Sequence, residues 1–164
     1  MKKFNSKSCE EIMTTVYKPI EFVVDGLLAQ GLYILAGAPK VGKSWLALEM
    51  CLSIAKGEKV LGQETTQGTV LYLCLEDSYV RIQNRLYEIT DEPTERLHFV
   101  IMSESIGSGL EEQIKNFKKE HSDLKVVFID TLQMIRESTD NGYGSDYKEL
   151  SVLKCLADKL EIAI

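Results

Sequence analysis

No stretch of this 164-residue chain is apolar for the roughly 20 residues that a bilayer span takes. The opening MKKFNSKSCEEIMTTVYK carries two early lysines with no apolar run behind them, which argues against a secretory leader. Cysteine is sparse: Cys9, Cys51, Cys74 and Cys155 stand far apart and form no CxxC pair. That argues against a disulfide framework or a zinc site and reads as reduced thiols in a cytosolic protein. Positive charge is not in excess. A net charge of −6 offers no bulk attraction for nucleic acid, so DNA contact would need a local basic patch or the inner face of an oligomer. The two histidines, His98 and His121, share no metal-ligand spacing with each other or with the cysteines. Internal repeats and low-complexity tracts are missing as well.

What is present is an alternating pattern. At 45% hydrophobic and 27% charged residues, the composition suits one globular domain with a real core. Residues 1–18 are polar and weakly patterned, an arm or a short helix, and the domain proper runs over 19–164. PIEFVVDGLLAQG (19–31) is an apolar lead-in. LYILA (32–36), TVLYLCL (69–75), LHFVIM (97–102) and KVVFID (125–130) are short continuous apolar runs, as buried parallel strands are. Residues 43–56, 78–89, 109–120 and 146–160 follow helical spacing. RESTDNGYGS (136–145) is polar and glycine-containing and reads as a loop. Strands alternating with helices predict an α/β fold, a mostly parallel sheet flanked by helices.

Between the first strand and the first long helix stands GAPKVGKS, residues 37–44. It fits G-x-x-x-x-G-K-[ST] at every fixed position, with a strand before it and a helix after it. Gly37, Ala38, Pro39, Lys40, Val41 and Gly42 can wrap with their N–H groups inward and make an anion nest. The helix that starts near Lys43 adds unpaired N–H groups and the positive end of its dipole. In this motif Lys43 reaches the β- and γ-phosphates and Ser44 ligates Mg²⁺, so the loop predicts binding of ATP with Mg²⁺. Lys40 sits at a variable position and reads as solvated or peripheral. Trp45 reads as packed against the sheet, with the edge of the nucleotide pocket as its other reading.

Hydrolysis needs an acid near the metal and a group that orients water. Asp130 ends the strand KVVFI at its carboxyl end, where open α/β sheets place ligands, and is the candidate metal acid. Glu76 ends TVLYLCL in the same way and is a candidate general base. Asp77 immediately precedes the next helix and fits the role of its cap. Arg81 and Arg85 lie one turn apart on that helix and read as a solvated face.

Together, PIEFVVDGLLAQGLYILAGAPKVGKSWLAL, VLYLCLEDS and VVFIDTLQMI resemble the RecA-like ATPases, and within them the RepA-type hexameric helicases of plasmids, phages and other mobile elements. The resemblance runs from about residue 19 to the end. It implies a RecA-like P-loop NTPase fold, with Lys43 and Ser44 on phosphate and metal, Glu76 as the catalytic glutamate and Asp130 as the Walker B acid. It also implies a homo-oligomeric ring, a hexamer. Loops after the Walker B strand approach single-stranded DNA in that family, which maps onto 136–145 with Arg136 and Tyr143 as candidate phosphate and stacking contacts. Thr131 and Gln133 follow Asp130 without a firm role.

The pattern departs from the family at one place. RecA-like domains carry a further strand after the last helix, between the P-loop and Walker B strands, ending in a polar sensor residue. Here EIAI (161–164) begins that strand and the sequence stops. The expectation is a piece of a domain that binds nucleotide weakly and hydrolyses it slowly. Three functions follow: a DNA-dependent ATPase motor of helicase type, a non-catalytic nucleotide-binding assembly or regulatory module, and a P-loop phosphotransferase.

Overall fold

The computed structural model of the chain describes residues 4–136 and 143–164. Helix α1, Cys9–Thr14, opens with a reciprocal cap: Ser8 Oγ accepts from the Glu11 N–H and the Glu11 carboxylate accepts from the Ser8 N–H. It buries no side chain. A short antiparallel hairpin follows, β1 (Phe22–Val24) with β2 (Leu28–Ala29). Helix α2 spans Lys43–Lys56, the span its apolar spacing predicts.

Strand β3, Thr69–Cys74, is buried at every residue. A strand covered on both faces has no polar side to offer, which is why TVLYLC shows no alternation. Helix α3 (Tyr79–Ile89) leads to β4 (Leu97–Val100), and α4 (Leu110–Glu120) leads to β5 (Leu124–Asp130). A 3-10 turn, Leu132–Ile135, and helix α5, Tyr143–Leu160, complete the chain. Helix α5 therefore begins three residues inside the segment expected to be loop.

The sheet is parallel, in the order β4-β3-β5. Successive residues of β3 face opposite sides. Val70, Tyr72 and Cys74 pack with Leu48, Cys51 and Ile54 of α2, whereas Leu71 and Leu73 pack with Leu110 and Ile114 of α4 and Leu153 and Leu156 of α5. The sheet is thus sandwiched between helices. β3 can start close to its neighbour because Gly68 precedes it. A Cβ there would stand 2.6 Å from the Asp123 carbonyl oxygen and would also collide with the Lys125 side chain.

Beyond β5 the sheet continues through isolated bridges. Ala163 pairs in parallel with both Val126 and Gly31, so the last residues lie between the P-loop lead-in and β5, where the resemblance places a strand. The expected strand LYILA forms only at its beginning. Gly31 donates to the Ile162 carbonyl and Tyr33 to the Ile164 carbonyl, and Ile164 is the last residue of the sequence. Among the described residues no ladder continues past Tyr33, and Ile34 and Leu35 are exposed. A short apolar run is buried by its neighbours rather than by its own composition.

Candidate nucleotide-binding site

The loop of residues 37–44 turns through two left-handed backbone positions, Lys40 (φ 63°) and Gly42 (φ 94°). Gly42 suits that geometry because it has no Cβ, and it is also the residue that caps α2. Gly42 has no side chain to cap α2, so the first N–H groups of the helix are left to other partners. The Lys43 ammonium folds back over the loop and donates to the carbonyls of Gly37 (2.9 Å) and Ala38 (2.7 Å). Pro39, Val41 and Ser44 complete the turn, with Val41 exposed.

The two acids are brought together by the register of the sheet. Cys74 pairs with Asp130, and the Leu75 N–H donates to the Asp130 carbonyl at 2.9 Å, so both strands end at one level. The Thr131 hydroxyl then donates to the Glu76 carboxylate at 2.8 Å, giving Thr131 a partner the sequence did not reveal. The Asp130–Thr131 peptide bond is cis. Gln133 lies on the 3-10 turn and is exposed.

Tyr72 was not singled out from the sequence. Its phenol donates to Asp130 Oδ2 at 3.0 Å and lies 3.5 Å from the Ser44 carbonyl oxygen, so one side chain spans the candidate metal acid and the first turn of α2. Burial, and then the Asp130 charge, push this phenol far above its ordinary pKa, so it stays protonated and keeps its proton for Asp130. The available signal was a tyrosine inside an otherwise aliphatic strand, since a buried phenol needs a partner. Cys74 sits below the same site, and burial pushes its thiol up to about 12, which leaves it unreactive.

Other expectations change. Ser78, not Asp77, caps α3, its hydroxyl accepting from the Arg81 N–H. Asp77 stands one residue too early and instead accepts from Arg85 at 2.6 Å and from Arg81 at 3.2 Å, so these arginines are not a plain solvated face. Trp45 is 39% exposed rather than packed on the sheet, with the Arg85 guanidinium over its ring. Arg136 is largely covered and ion-paired with Glu149 at 2.8 Å. The Tyr143 side chain and residues 137–142 lie outside the described residues.

A cavity of about 600 Å³ adjoins the site. Its lining includes Gly37, Lys43, Tyr72, Asp130, Thr131 and Gln133 together with the apolar Leu46, Met50, Phe128 and Leu153. Among the described residues no three His, Cys, Asp or Glu side chains converge to hold a metal by themselves. The donor set of one carboxylate, one hydroxyl and a phosphate cradle instead suits Mg²⁺, which keeps waters and takes phosphate oxygens.

A parallel sheet whose strand ends carry two acids beside a glycine-rich loop and a helix N-terminus is the RecA-like P-loop NTPase fold. The AAA domain family matches residues 7–157, and the chain belongs to it. Two curated relatives, both described as probable plasmid replicative DNA helicase, come from Chlamydia trachomatis, one of them from serovar L2. Each is 28% identical over 188 aligned residues, which cover 98% of this chain and 40% of the relative. The chain therefore spans 40% of the length of these relatives. It is an ATP-binding AAA-domain protein, distantly related to a DNA helicase, and its family membership supports ATP hydrolysis in general.

Proposed function

We propose that this chain is the nucleotide-hydrolysing part of a DNA-dependent motor of helicase type, acting in a ring of identical subunits on single-stranded DNA. The observation that carries the hydrolytic part is the junction of Glu76, Thr131, Asp130 and Tyr72 at adjoining strand ends, with Tyr72 reaching the first turn of α2. The named relatives and the motif order support the DNA motor.

In this reading Lys43 leaves the Gly37 and Ala38 carbonyls for the β- and γ-phosphates, exchanging two neutral acceptors for charged ones. Ser44 Oγ and Asp130 would hold Mg²⁺, with Tyr72 fixing the carboxylate. Held there, Mg²⁺ would supply charge neutralisation at the phosphate oxygens. Glu76, oriented by the Thr131 hydroxyl, accepts the proton of the attacking water. Arg136 and Tyr143 remain the candidate DNA contacts of the loop expected over 136–145, and Arg136 would have to leave Glu149 to bind a phosphate.

Calorimetry of Mg-ATP binding beside Lys43→Ala, followed by turnover with and without single-stranded DNA, tests this. We expect binding that Lys43→Ala abolishes and turnover that DNA accelerates. Binding with no turnover would favour an assembly or regulatory module. Transfer of phosphate to a sugar or nucleoside hydroxyl would favour a phosphotransferase. Turnover indifferent to DNA would remove the motor and leave an ATPase.

A further inference from the structure

The turn that carries Glu76 is held by a second set of groups. Asp77 follows Glu76, and its carboxyl side chain is only 9% exposed. A buried carboxylate persists where its charge is met by donors. Asp77 has three: the Ser78 N–H at 2.9 Å, Arg85 Nη1 at 2.6 Å and Arg81 Nε at 3.2 Å. Its own N–H donates to the Cys74 carbonyl at 3.1 Å, closing the turn around Glu76. Arg85 is the better-buried partner, 24% exposed against 64% for Arg81. The Arg85 guanidinium carbon also stands 5.6 Å from the ring centre of Trp45, at cation–π distance. Trp45 directly follows Ser44.

We propose that Asp77, Arg85 and Trp45 form a brace that positions Glu76 against the first turn of α2, with Arg85 and Asp77 as positioning residues for water attack. This rests on the reading of Glu76 as the general base. A buried ion pair adds little net stability over apolar side chains of similar volume. What it adds here is orientation. The carboxylate is held by two donors on α3 and one backbone N–H, and the guanidinium stands over the Trp45 ring on the helix that presents Ser44. Neither the Glu76 turn nor the Ser44 turn can shift without disturbing Arg85. Lysine would keep the charge but lose the planar fork and the stacking face.

The test uses the full chain with Asp77→Asn, Arg85→Lys, Arg85→Ala and the double variant Asp77→Asn/Arg85→Ala. Melting temperature, Mg-ATP affinity by calorimetry and kcat are measured on each. Trp45 is the only tryptophan in the sequence, so its emission reports on the brace. We expect folded variants whose ATP affinity stays within about threefold of the parent, the mark of an interaction used only in the chemical step. kcat should fall on the order of tenfold to a hundredfold, the cost of a displaced reacting group. Arg85→Lys should recover only part of the loss, and the double variant should be no worse than the weaker single, since both break one unit. Trp45 emission should shift in Arg85→Ala.

Parent-like kcat in the folded variants, affinity loss in step with kcat, or losses that multiply in the double variant would each overturn the brace. If Arg85→Ala does not fold, Asp77→Asn and Arg85→Lys decide. A parent that binds Mg-ATP without turnover refutes the hydrolytic reading instead. The brace is then judged by whether Mg-ATP changes Trp45 emission in the parent and not in Asp77→Asn. A change that survives Asp77→Asn, or no change in the parent, overturns it.

Discussion

The two sides of the nucleotide site are built to different standards. On the acid side, β3 and β5 are paired from Thr69 with Leu124 to Cys74 with Asp130, under helices on both faces. On the phosphate side, residues 31–36 meet the sheet through the bridge from Gly31 to Ala163 and the backbone bonds at Gly31 and Tyr33, and then run on exposed. The positions of Asp130 and Glu76 are therefore inherited from the core, whereas the glycine-rich loop hangs from a short ladder. Local stability follows how much apolar contact and laddering a segment has. The loop side should be the compliant one and the acid side the rigid template.

The largest test of that contrast is a pair of truncations of the same residue type. Leu73→Ala removes a side chain that is 2% exposed at the centre of β3 and should cost about 2–5 kcal/mol. Leu35→Ala removes one that is 51% exposed and should stay within about 0.5 kcal/mol. Urea unfolding reads both, and equal losses would mean that residues 32–36 are as well buried in solution as β3. Gly68→Ala probes how β3 is admitted between its neighbours. The added methyl has the Asp123 carbonyl and the Lys125 side chain in its way, so the strand start must shift, at about 1–3 kcal/mol. An unchanged midpoint would show that the Asp123 turn yields freely.

Much of this was legible before any coordinates. Continuous apolar runs marked β3 and β5, helical spacing marked α2, and the fixed spacing from Gly37 to Ser44 marked the loop. Asp130 and Glu76 could be expected at one edge because a parallel sheet puts its strand ends there, and the pairing of Cys74 with Asp130 brings them to one level. LYILA was misjudged because burial of a strand depends on its neighbour, which the run itself does not contain. Asp77 departs from the expected cap because caps and ion pairs draw on the same carboxylate; Ser78, in extended conformation one residue later, takes the cap. Tyr72 and the Arg85–Trp45 stack were illegible for another reason. They join residues of different elements, and strand register and helix rotation decide such meetings.

Tyr72→Phe is a smaller and more selective cut at the acid side. It keeps the ring between Phe99 and Phe128 and removes only the hydroxyl that donates to Asp130. The expected stability loss is about 1 kcal/mol, the net value of one such bond. The sharper reading is a Mg²⁺ titration of ATP binding, where loss of the donor should weaken the Mg²⁺ dependence while binding of metal-free ATP stays unchanged. Equal weakening of both would make Tyr72 a part of the phosphate cradle instead.

The smallest effect tests whether the well-laddered half is uniformly secure. His98 lies on β4, the outer strand of that half, with its ring 4.4 Å from the His121 ring and 5.2 Å from Phe117. Among the described residues its buried Nε2 has no hydrogen-bond partner. Burial, and then the neighbouring His121, hold its imidazole below the ordinary value, while the Glu95 backbone and the Asp123 charge pull the other way. The unfolded chain then takes up a proton near pH 6.5 that the folded chain still refuses, so stability falls as pH drops below that value and levels off beneath the folded pKa. A modest loss in the urea midpoint between pH 7.5 and 5.5 is expected, and His98→Gln should shrink it. An acid loss of the same size in His98→Gln would place the sensitivity at another group and leave the β4 edge as firm as the strands inside it.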